Sequence, residues 1–132
     1  MNDSSDTNEL HDSKVSDQLK IYFEYTKFHI GLYISLIVGV LAYLKFGIGN
    51  TPPSQPPHLL VLAIVAWGVA GACGAVIAHN IPDFQTVRDI RAVRIGPYWT
   101  KLLPGKQWEI IEHGSFWIGA FLAMIHFVKL FW

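Results

Sequence analysis

Histidine and glutamate are the residue types in this chain that could do chemistry within long apolar stretches. His29 and His79 border two uncharged stretches, and Glu112 stands beside His113 near the start of a third. Ionisable groups at membrane depth are costly, so they favour a functional hypothesis such as proton or ion handling. Histidines and hydrated carboxylates at a membrane interface also serve structural roles. We therefore interpret these four residues as a possible polar or haem cluster, with a structural role as the alternative.

Motifs that would indicate an enzyme are missing from the sequence. It has no HExxH pair, no glycine-rich phosphate loop and no Ser-His-Asp set in a usable context. The one cysteine, Cys73, lies among alanines and glycines, where a thiol is mainly a small packing residue. We expect no catalytic residues, no metal site and no enzymatic activity.

Three long apolar stretches must position the polar residues. The most apolar runs from His58 to Asn80 and contains no Asp, Glu, Lys or Arg. About twenty apolar residues at ~1.5 Å rise match a hydrocarbon layer of about 30 Å, so this stretch predicts a transmembrane helix over 58–80. Two further spans are predicted at about 29–48 and 110–132. The connection GIGNTPPSQPPH between the first two spans predicts a stiff turn, because proline cannot continue a helix.

The composition supports an integral membrane protein. Hydrophobic residues make up 52% of the 132 and charged residues only 15%, against about a quarter charged in soluble domains. The formal net charge is zero, which gives no electrostatic argument for a nucleic-acid partner. Residues 1–17 are acidic, polar and without apolar periodicity, so they predict a disordered cytoplasmic tail. Residues 18–132 then form a single membrane domain.

The predicted fold class is all-α. We expect an integral membrane three-helix bundle with an amphipathic N-terminal extension, because aromatic and charged residues alternate irregularly from Gln18 to Phe28. The connection between helices two and three is predicted to contain an interfacial cytoplasmic helix capped by Asp83. Its arginines, Arg88, Arg91 and Arg94, could contact lipid phosphates or an effector, or could serve only to orient the chain.

Small residues recur at four-residue spacing in each predicted span. Helices in lipid associate through close packing, so such ladders are typical of helix interfaces. The candidate packing residues are Gly31, Ser35 and Gly39 in the first span, Ala66, Ala70, Gly74 and Ala78 in the second, and Ser115, Gly119 and Ala123 in the third. The ladders predict matching faces on helices one and two, so leucine at Gly39 or Gly74 should weaken assembly to a similar extent.

Basic residues are distributed unevenly between the two sides of the predicted bundle. One side carries Lys14, Lys20, Lys27, Arg88, Arg91, Arg94, Lys101 and Lys106, and the other carries Lys45 and Lys129. By the positive-inside rule the first group is cytoplasmic. The predicted location is the cell (inner) membrane. The N-terminus is then on the cytoplasmic side and the C-terminus on the outer side.

Two function classes follow from these features. The first is a non-catalytic membrane protein, either a structural subunit or an oligomeric pore-type effector, whose partners are the lipid bilayer, further copies of the chain or other membrane subunits. The second is a redox membrane anchor that binds haem b or quinone. The size and three-span plan are similar to the membrane anchors of succinate dehydrogenases, which bind haem and quinone. Those anchors carry His-Arg and then glycine at the start of a span, whereas His29, His79 and His113 precede Ile30, Asn80 and Gly114.

Overall fold

The computed structural model describes residues 3–47 and 57–131, with side chains between residues 15 and 130. The chain is mostly helical, and three of its helices are long and apolar enough to cross a membrane. The helices are α1 (Asp3–Phe46), α2 (His58–Asn80), α3 (Val87–Ala92) and α4 (Gly105–Phe131). The predicted all-α class is confirmed at this level. The proline-rich connection and the predicted span ends at 48 and 132 lie outside the described residues.

Helix α1 is longer than the sequence predicts. It begins at Asp3, inside the segment for which a disordered tail is predicted, and continues unbroken through the amphipathic stretch into the apolar one. Its 44 residues extend about 66 Å at ~1.5 Å per residue, more than twice the thickness of a hydrocarbon layer. The domain division at residue 17 stays a prediction.

Helix α2 lies between α1 and α4 and packs closely on both, whereas the backbones of α1 and α4 approach each other much less. The reason is the small size of many α2 residues, since Ala63, Ala70 and Gly74 are all buried. Larger side chains fill the space that they leave, and Tyr33 of α1 and Trp67 of α2 are both buried in the main core. Helix α2 therefore packs on both neighbours with small buried residues at its contacts.

A second core fixes the connection between α2 and α4. It contains Val76 and Ile77 from α2 together with Ile81, Ile90 and Ile95 from the connection. Within this segment lie two 3-10 turns, Ile81–Asp83 and Pro97–Trp99, and two short strands, β1 (Arg94–Ile95) and β2 (Leu103–Pro104), paired antiparallel.

Two side-chain hydrogen bonds add to this second core. Asn80 Nδ2 donates to the Gly96 carbonyl at 3.3 Å, and Trp108 Nε1 donates to the Ile95 carbonyl at 2.9 Å. The backbone of the connection is thereby tied to α2 and α4. The predicted cytoplasmic segment is a folded part of the molecule.

The interfacial helix starts later than the sequence predicts. Asp83 ends a 3-10 turn and Phe84 is extended, so Asp83 does not cap α3. The cap is Thr86, whose Oγ1 accepts from the backbone N–H of Asp89 at 3.1 Å. A threonine before the first helical turn is a favoured N-cap, and the extended Phe84 separates it from the earlier proline turn.

Glycine is required where the connection enters α4. The Gly105 N–H donates to the Val93 carbonyl at 3.2 Å, and a Cβ atom at Gly105 would overlap the Ile90 carbonyl oxygen. Because a backbone carbonyl cannot swing away as a side chain can, any side chain here would displace α3 from α4.

The outward faces of the three long helices are strongly apolar. Exposed side chains include Ile34, Val38 and Leu41 on α1, Val61, Leu62 and Val65 on α2, and Trp117, Ile118 and Phe121 on α4. Soluble monomers rarely expose contiguous apolar surfaces of this extent. Such faces fit a hydrocarbon environment.

Candidate functional site

The most buried carboxylate of the candidate site is Glu112. Only 3% of this residue is exposed, and its Oε1 accepts a hydrogen bond from the Tyr33 hydroxyl at 2.9 Å. The carboxylate packs against α2 at Gly74, where a Cβ atom would lie 3.3 Å from Oε1 and 3.2 Å from Ile30 Cγ1. Gly74 therefore leaves room for a side chain of α4 as well as one of α1.

One helical turn earlier, Glu109 joins three elements. Arg91 of α3 donates from Nε to both carboxylate oxygens at 2.9 Å, and its Nη2 lies 2.8 Å from Oε2. The Tyr22 hydroxyl of α1 donates to Oε1 at 2.5 Å. The hydrogen bonds to Glu109 raise the pKa of Arg91 above its ordinary value, so the guanidinium stays charged. Glu109, itself on α4, thus ties α3 of the connection to α1 and α4.

Two histidines from different helices lie beside these carboxylates. The ring centroids of His29 and His113 are 6.0 Å apart, and the Tyr25 ring lies 4.0 Å from that of His29. Each histidine has Nδ1 2.8 Å from the carbonyl oxygen four residues earlier, Tyr25 or Glu109. A carbonyl can only accept, so in the neutral rings the proton is on Nδ1 and Nε2 carries the lone pair. The Tyr25 hydroxyl lies 3.5 Å from His113 Nε2.

A cavity of about 270 Å³ lies among these groups. Its lining includes Tyr22, Tyr25, Arg91, Glu109, Glu112 and His113. The lining is unusually polar for a helix interface, and it combines contributions from α1, α3 and α4.

The predicted polar cluster is brought together in part. His29, Glu112 and His113 lie at the same end of the bundle, where Glu112 and His113 share the cavity lining. His79 is elsewhere, with its ring 5.5 Å from that of Trp99. It lines a separate apolar groove of about 580 Å³ between α2, the connection and α4. Among the described residues no group of three histidine, cysteine or acidic side chains could hold a metal ion.

Sequence reasoning missed the tyrosines of the cluster. Tyr22, Tyr25 and Tyr33 recur on α1 at spacings that place them on one helical face, as do Glu109 and Glu112 on α4. The signal was present as two polar stripes at helical spacing. Interfacial tyrosines are equally typical of an aromatic belt, so their spacing alone does not distinguish a polar cluster from such a belt.

The three candidate arginines have different surroundings. All three are exposed, and among the described residues Arg91 alone has an ion-pair partner, Glu109. A site that needs all three for one lipid or effector phosphate would have to break the Arg91 ion pair. The lipid or effector role of these residues stays a prediction.

The small-residue ladders lie in two environments. In α2 and α4, Ala70, Gly74, Gly119 and Ala123 are buried, and Ala66, Ala78 and Ser115 are partly buried. In α1, Gly31, Ser35 and Gly39 are exposed, and a Cβ atom at either glycine would meet nothing within 4 Å. The predicted match between the ladders of helices one and two is therefore absent, because α1 packs on α2 with Ile30 and Tyr33 instead.

The ladder glycine of α4 accommodates a tryptophan. A Cβ atom at Gly119 would lie 2.6 Å from Trp67 Nε1, and that nitrogen donates to the Phe116 carbonyl at 3.3 Å. Trp67 is 3% exposed. This indole fits against the α4 backbone because position 119 has no side chain.

Two consecutive aromatic residues in the connection have unusual backbone conformations. Tyr98 and Trp99 have φ angles of 52° and 66°, in the left-handed region that large side chains rarely adopt. Both side chains are exposed, and Tyr98 forms part of the apolar groove wall.

Comparisons of the chain with protein-family models, with curated proteins and with solved structures found no match.

Proposed function

We propose that this chain is a non-catalytic multi-pass membrane protein that associates with further copies of itself or with other membrane subunits through the outer face of α1. The observation that carries the proposal is the exposure of Gly31, Ser35 and Gly39. These residues do not serve packing among the described residues, since added Cβ atoms at the two glycines would meet nothing within 4 Å there.

The physical basis is the way helices associate in lipid. Apolar side chains gain little from leaving lipid for another helix, so close backbone approach at small residues supplies van der Waals contact instead. The Ser35 hydroxyl donates to the Gly31 carbonyl at 2.9 Å, which satisfies it inside the helix and leaves a shallow surface. A neighbouring helix could approach this strip more closely than any other outward face of α1.

The membrane orientation belongs to the same proposal. The three long helices span the membrane with the N-terminus and the connection on the cytoplasmic side and the C-terminus outside. The distribution of lysine and arginine supports this orientation, because cytoplasmic loops are enriched in basic residues. A reporter active only in the cytoplasm should work before Met1 and fail after Trp132. Cytoplasmic activity after Trp132 would contradict the three-span orientation.

Association is tested by mass measurement of the purified protein in detergent. Gly39→Leu should lower the oligomer mass, or release the chain from its partner subunits in a pulldown from native membrane. Gly68→Leu is the matched control, because Gly68 is also exposed and a Cβ atom there meets nothing within 4 Å. If both variants keep the wild-type mass and partners, the α1 strip faces lipid and the proposal fails.

A second candidate function is a redox anchor with haem b. The specific observation in its favour is the pair His29 and His113, one from α1 and one from α4, at 6.0 Å between ring centroids. Both rings use Nδ1 for a backbone carbonyl, which is how ligating histidines are commonly oriented. An absorption spectrum of the protein from native membrane decides the question. A Soret band that disappears in His29→Ala and persists in His79→Ala would support haem, and a spectrum without the band would exclude it.

A further inference from the structure

Carboxyl groups outnumber permanently cationic side chains in the lining of the cavity between α1 and α4. Its lining contains two carboxylates, Glu109 and Glu112, and one guanidinium, that of Arg91. Arg91 is paired with Glu109, with three nitrogen–oxygen distances of 2.8 to 2.9 Å. In the described part of the chain no cationic side chain lies within ion-pair distance of Glu112. A buried carboxylate is costly when it is ionised without a cationic partner, so the site lacks the positive charge that would stabilise an ionised Glu112.

Two hydrogen-bond acceptors of the cavity have no strong donor among the described side chains. Within the described residues, Oε1 of Glu112 accepts from Tyr33 and its second oxygen accepts from no protein group. His113 presents Nε2 as an acceptor, because its Nδ1 proton is used by the Glu109 carbonyl. The Tyr25 hydroxyl is the nearest described donor to that nitrogen, and its distance of 3.5 Å is at the weak limit of hydrogen bonding. A complementary ligand must therefore supply both positive charge and N–H or O–H donors.

We propose that this cavity binds one small protonated amine, either ammonium or a primary alkylammonium ion, with Glu112 as its counter-ion and His113 Nε2 as a second acceptor. Tyrosine rings line the same cavity, and aromatic faces attract cations. A volume of about 270 Å³ holds such an ion together with a few waters, each of which occupies roughly 30 Å³ in the liquid.

Alkali cations are a weaker match for the same site. Potassium supplies the missing charge but donates no hydrogen bond, and it would be held by one carboxylate and neutral groups. Metal ions that require three protein ligands are disfavoured, because no such set converges among the described residues. The inference does not depend on self-association, since every group involved belongs to one chain.

The test measures thermal unfolding of the full chain in detergent at pH 8. Equal concentrations of potassium chloride, ammonium chloride, methylammonium chloride and tetramethylammonium chloride are compared. The unfolding temperature should rise with the logarithm of ammonium or methylammonium concentration above the potassium value. Tetramethylammonium, which has no N–H donor, should give no such rise. Equal unfolding temperatures in potassium and ammonium would overturn the proposal.

The variants locate the site. Glu112→Gln should weaken ammonium binding about tenfold or more, because it removes a charged hydrogen-bond partner. Glu24→Gln is the matched control: this carboxylate is also on the cytoplasmic side but is exposed and paired with Lys27, so its ammonium response should equal that of the wild type. A response that survives unchanged in Glu112→Gln would overturn the assignment.

A second readout covers the case in which Glu112→Gln does not fold. Nitrogen-15 ammonium should show exchange broadening with the wild-type protein, and methylammonium should reverse the broadening by competition. His113→Phe should reduce the broadening, since phenylalanine keeps a ring but has no acceptor nitrogen. Absence of broadening with the folded wild type, or broadening that His113→Phe leaves unchanged, would contradict the site.

Discussion

Helices α1 and α2 carry the same small-residue pattern in opposite environments. The small residues of α2 face its neighbours, so that Ile30 and Glu112 fit against Gly74. Helix α1 contacts α2 through large side chains, and contacts α4 through the hydroxyls of Tyr22 and Tyr33. Its own glycines face outward. The comparison teaches that a ladder marks a surface suited to close approach and leaves open whether the approaching helix belongs to the same chain.

The largest effect is expected where a small residue meets an indole. Gly119→Leu places atoms within the space of Trp67, whose Nε1 would be 2.6 Å from the first added carbon. Overpacking typically costs about 1–3 kcal/mol and occasionally more, and this contact belongs at the upper end because the indole is buried on its other sides. We expect loss of about 3 kcal/mol of unfolding free energy, or no folded protein, by thermal or denaturant unfolding in detergent.

Gly114→Leu provides the control on the same helix. Gly114 is exposed and a Cβ atom there meets nothing within 4 Å. Its unfolding free energy should stay within about 0.5 kcal/mol of the wild type, as for surface substitutions in general. Equal destabilisation by both variants would mean that the Trp67 contact does not set the cost, since helix propensity favours leucine over glycine at either position.

A smaller effect is expected at the centre of α2. Gly74→Leu meets Ile30 Cγ1 at 3.2 Å and Glu112 Oε1 at 3.3 Å, both of which belong to side chains that can shift slightly. We expect destabilisation of about 1–3 kcal/mol in the same unfolding measurement. Gly68→Leu, one exposed glycine earlier on α2, should have little effect. An unchanged unfolding free energy in Gly74→Leu would show that the position of the Glu112 carboxylate does not depend on α2.

The contact of α3 with α4 includes an ion pair, so its contribution to the unfolding free energy should depend on salt. Arg91→Gln removes an ion pair whose arginine side chain is 56% exposed and whose glutamate is 13% exposed. Since the pair is partly solvated, we expect a cost of about 1 kcal/mol that decreases as salt is added. Arg88→Gln on the same short helix should be neutral. A salt-independent cost would indicate that packing of the arginine stem, rather than charge, holds α3.

The smallest effect on the single chain is expected on the outer face of α1. Gly39→Leu adds atoms where nothing lies within 4 Å, so the unfolding free energy of the dissociated chain should change by less than about 0.5 kcal/mol. Unfolding is measured at a detergent excess that separates copies. Destabilisation comparable to that of Gly74→Leu would remove the difference between α1 and α2, and would mean that α1 is turned the other way.

The spans were accessible to sequence reasoning, because length and apolarity are local properties. The uncharged stretch from His58 to Asn80 is the residue range of α2. The direction in which a ladder faces is a long-range property. In α1 the direction of the ladder is set by Tyr33, which is buried and donates a hydrogen bond to Glu112, 79 positions later in the chain. From sequence alone, Gly39 and Gly74 were therefore expected to behave alike, and the structure separates them.

The candidate site was predictable in part for the same reason. Glu112 and His113 attract attention as charged or titratable residues beside an apolar span, and both line the cavity. His79 shares their position relative to its span but points into a different groove, because helical phase decides the face. The hairpin that pairs Ile95 with Leu103 depends on the second core, in which Ile95 is buried, and it leaves no local signal of comparable strength.

The continuity of α1 has a mechanical consequence. Tyr22, which bonds Glu109, and Gly39, on the outer strip, belong to one unbroken helix. Turning such a helix about its own axis moves every residue on it through the same angle. A rotation that carried Tyr22 and Tyr33 away from the carboxylates of α4 would swing the glycine strip round the circumference of the chain by that angle. The hydrogen bonds of Tyr22 and Tyr33 and the direction in which the glycine strip faces are thus geometrically linked.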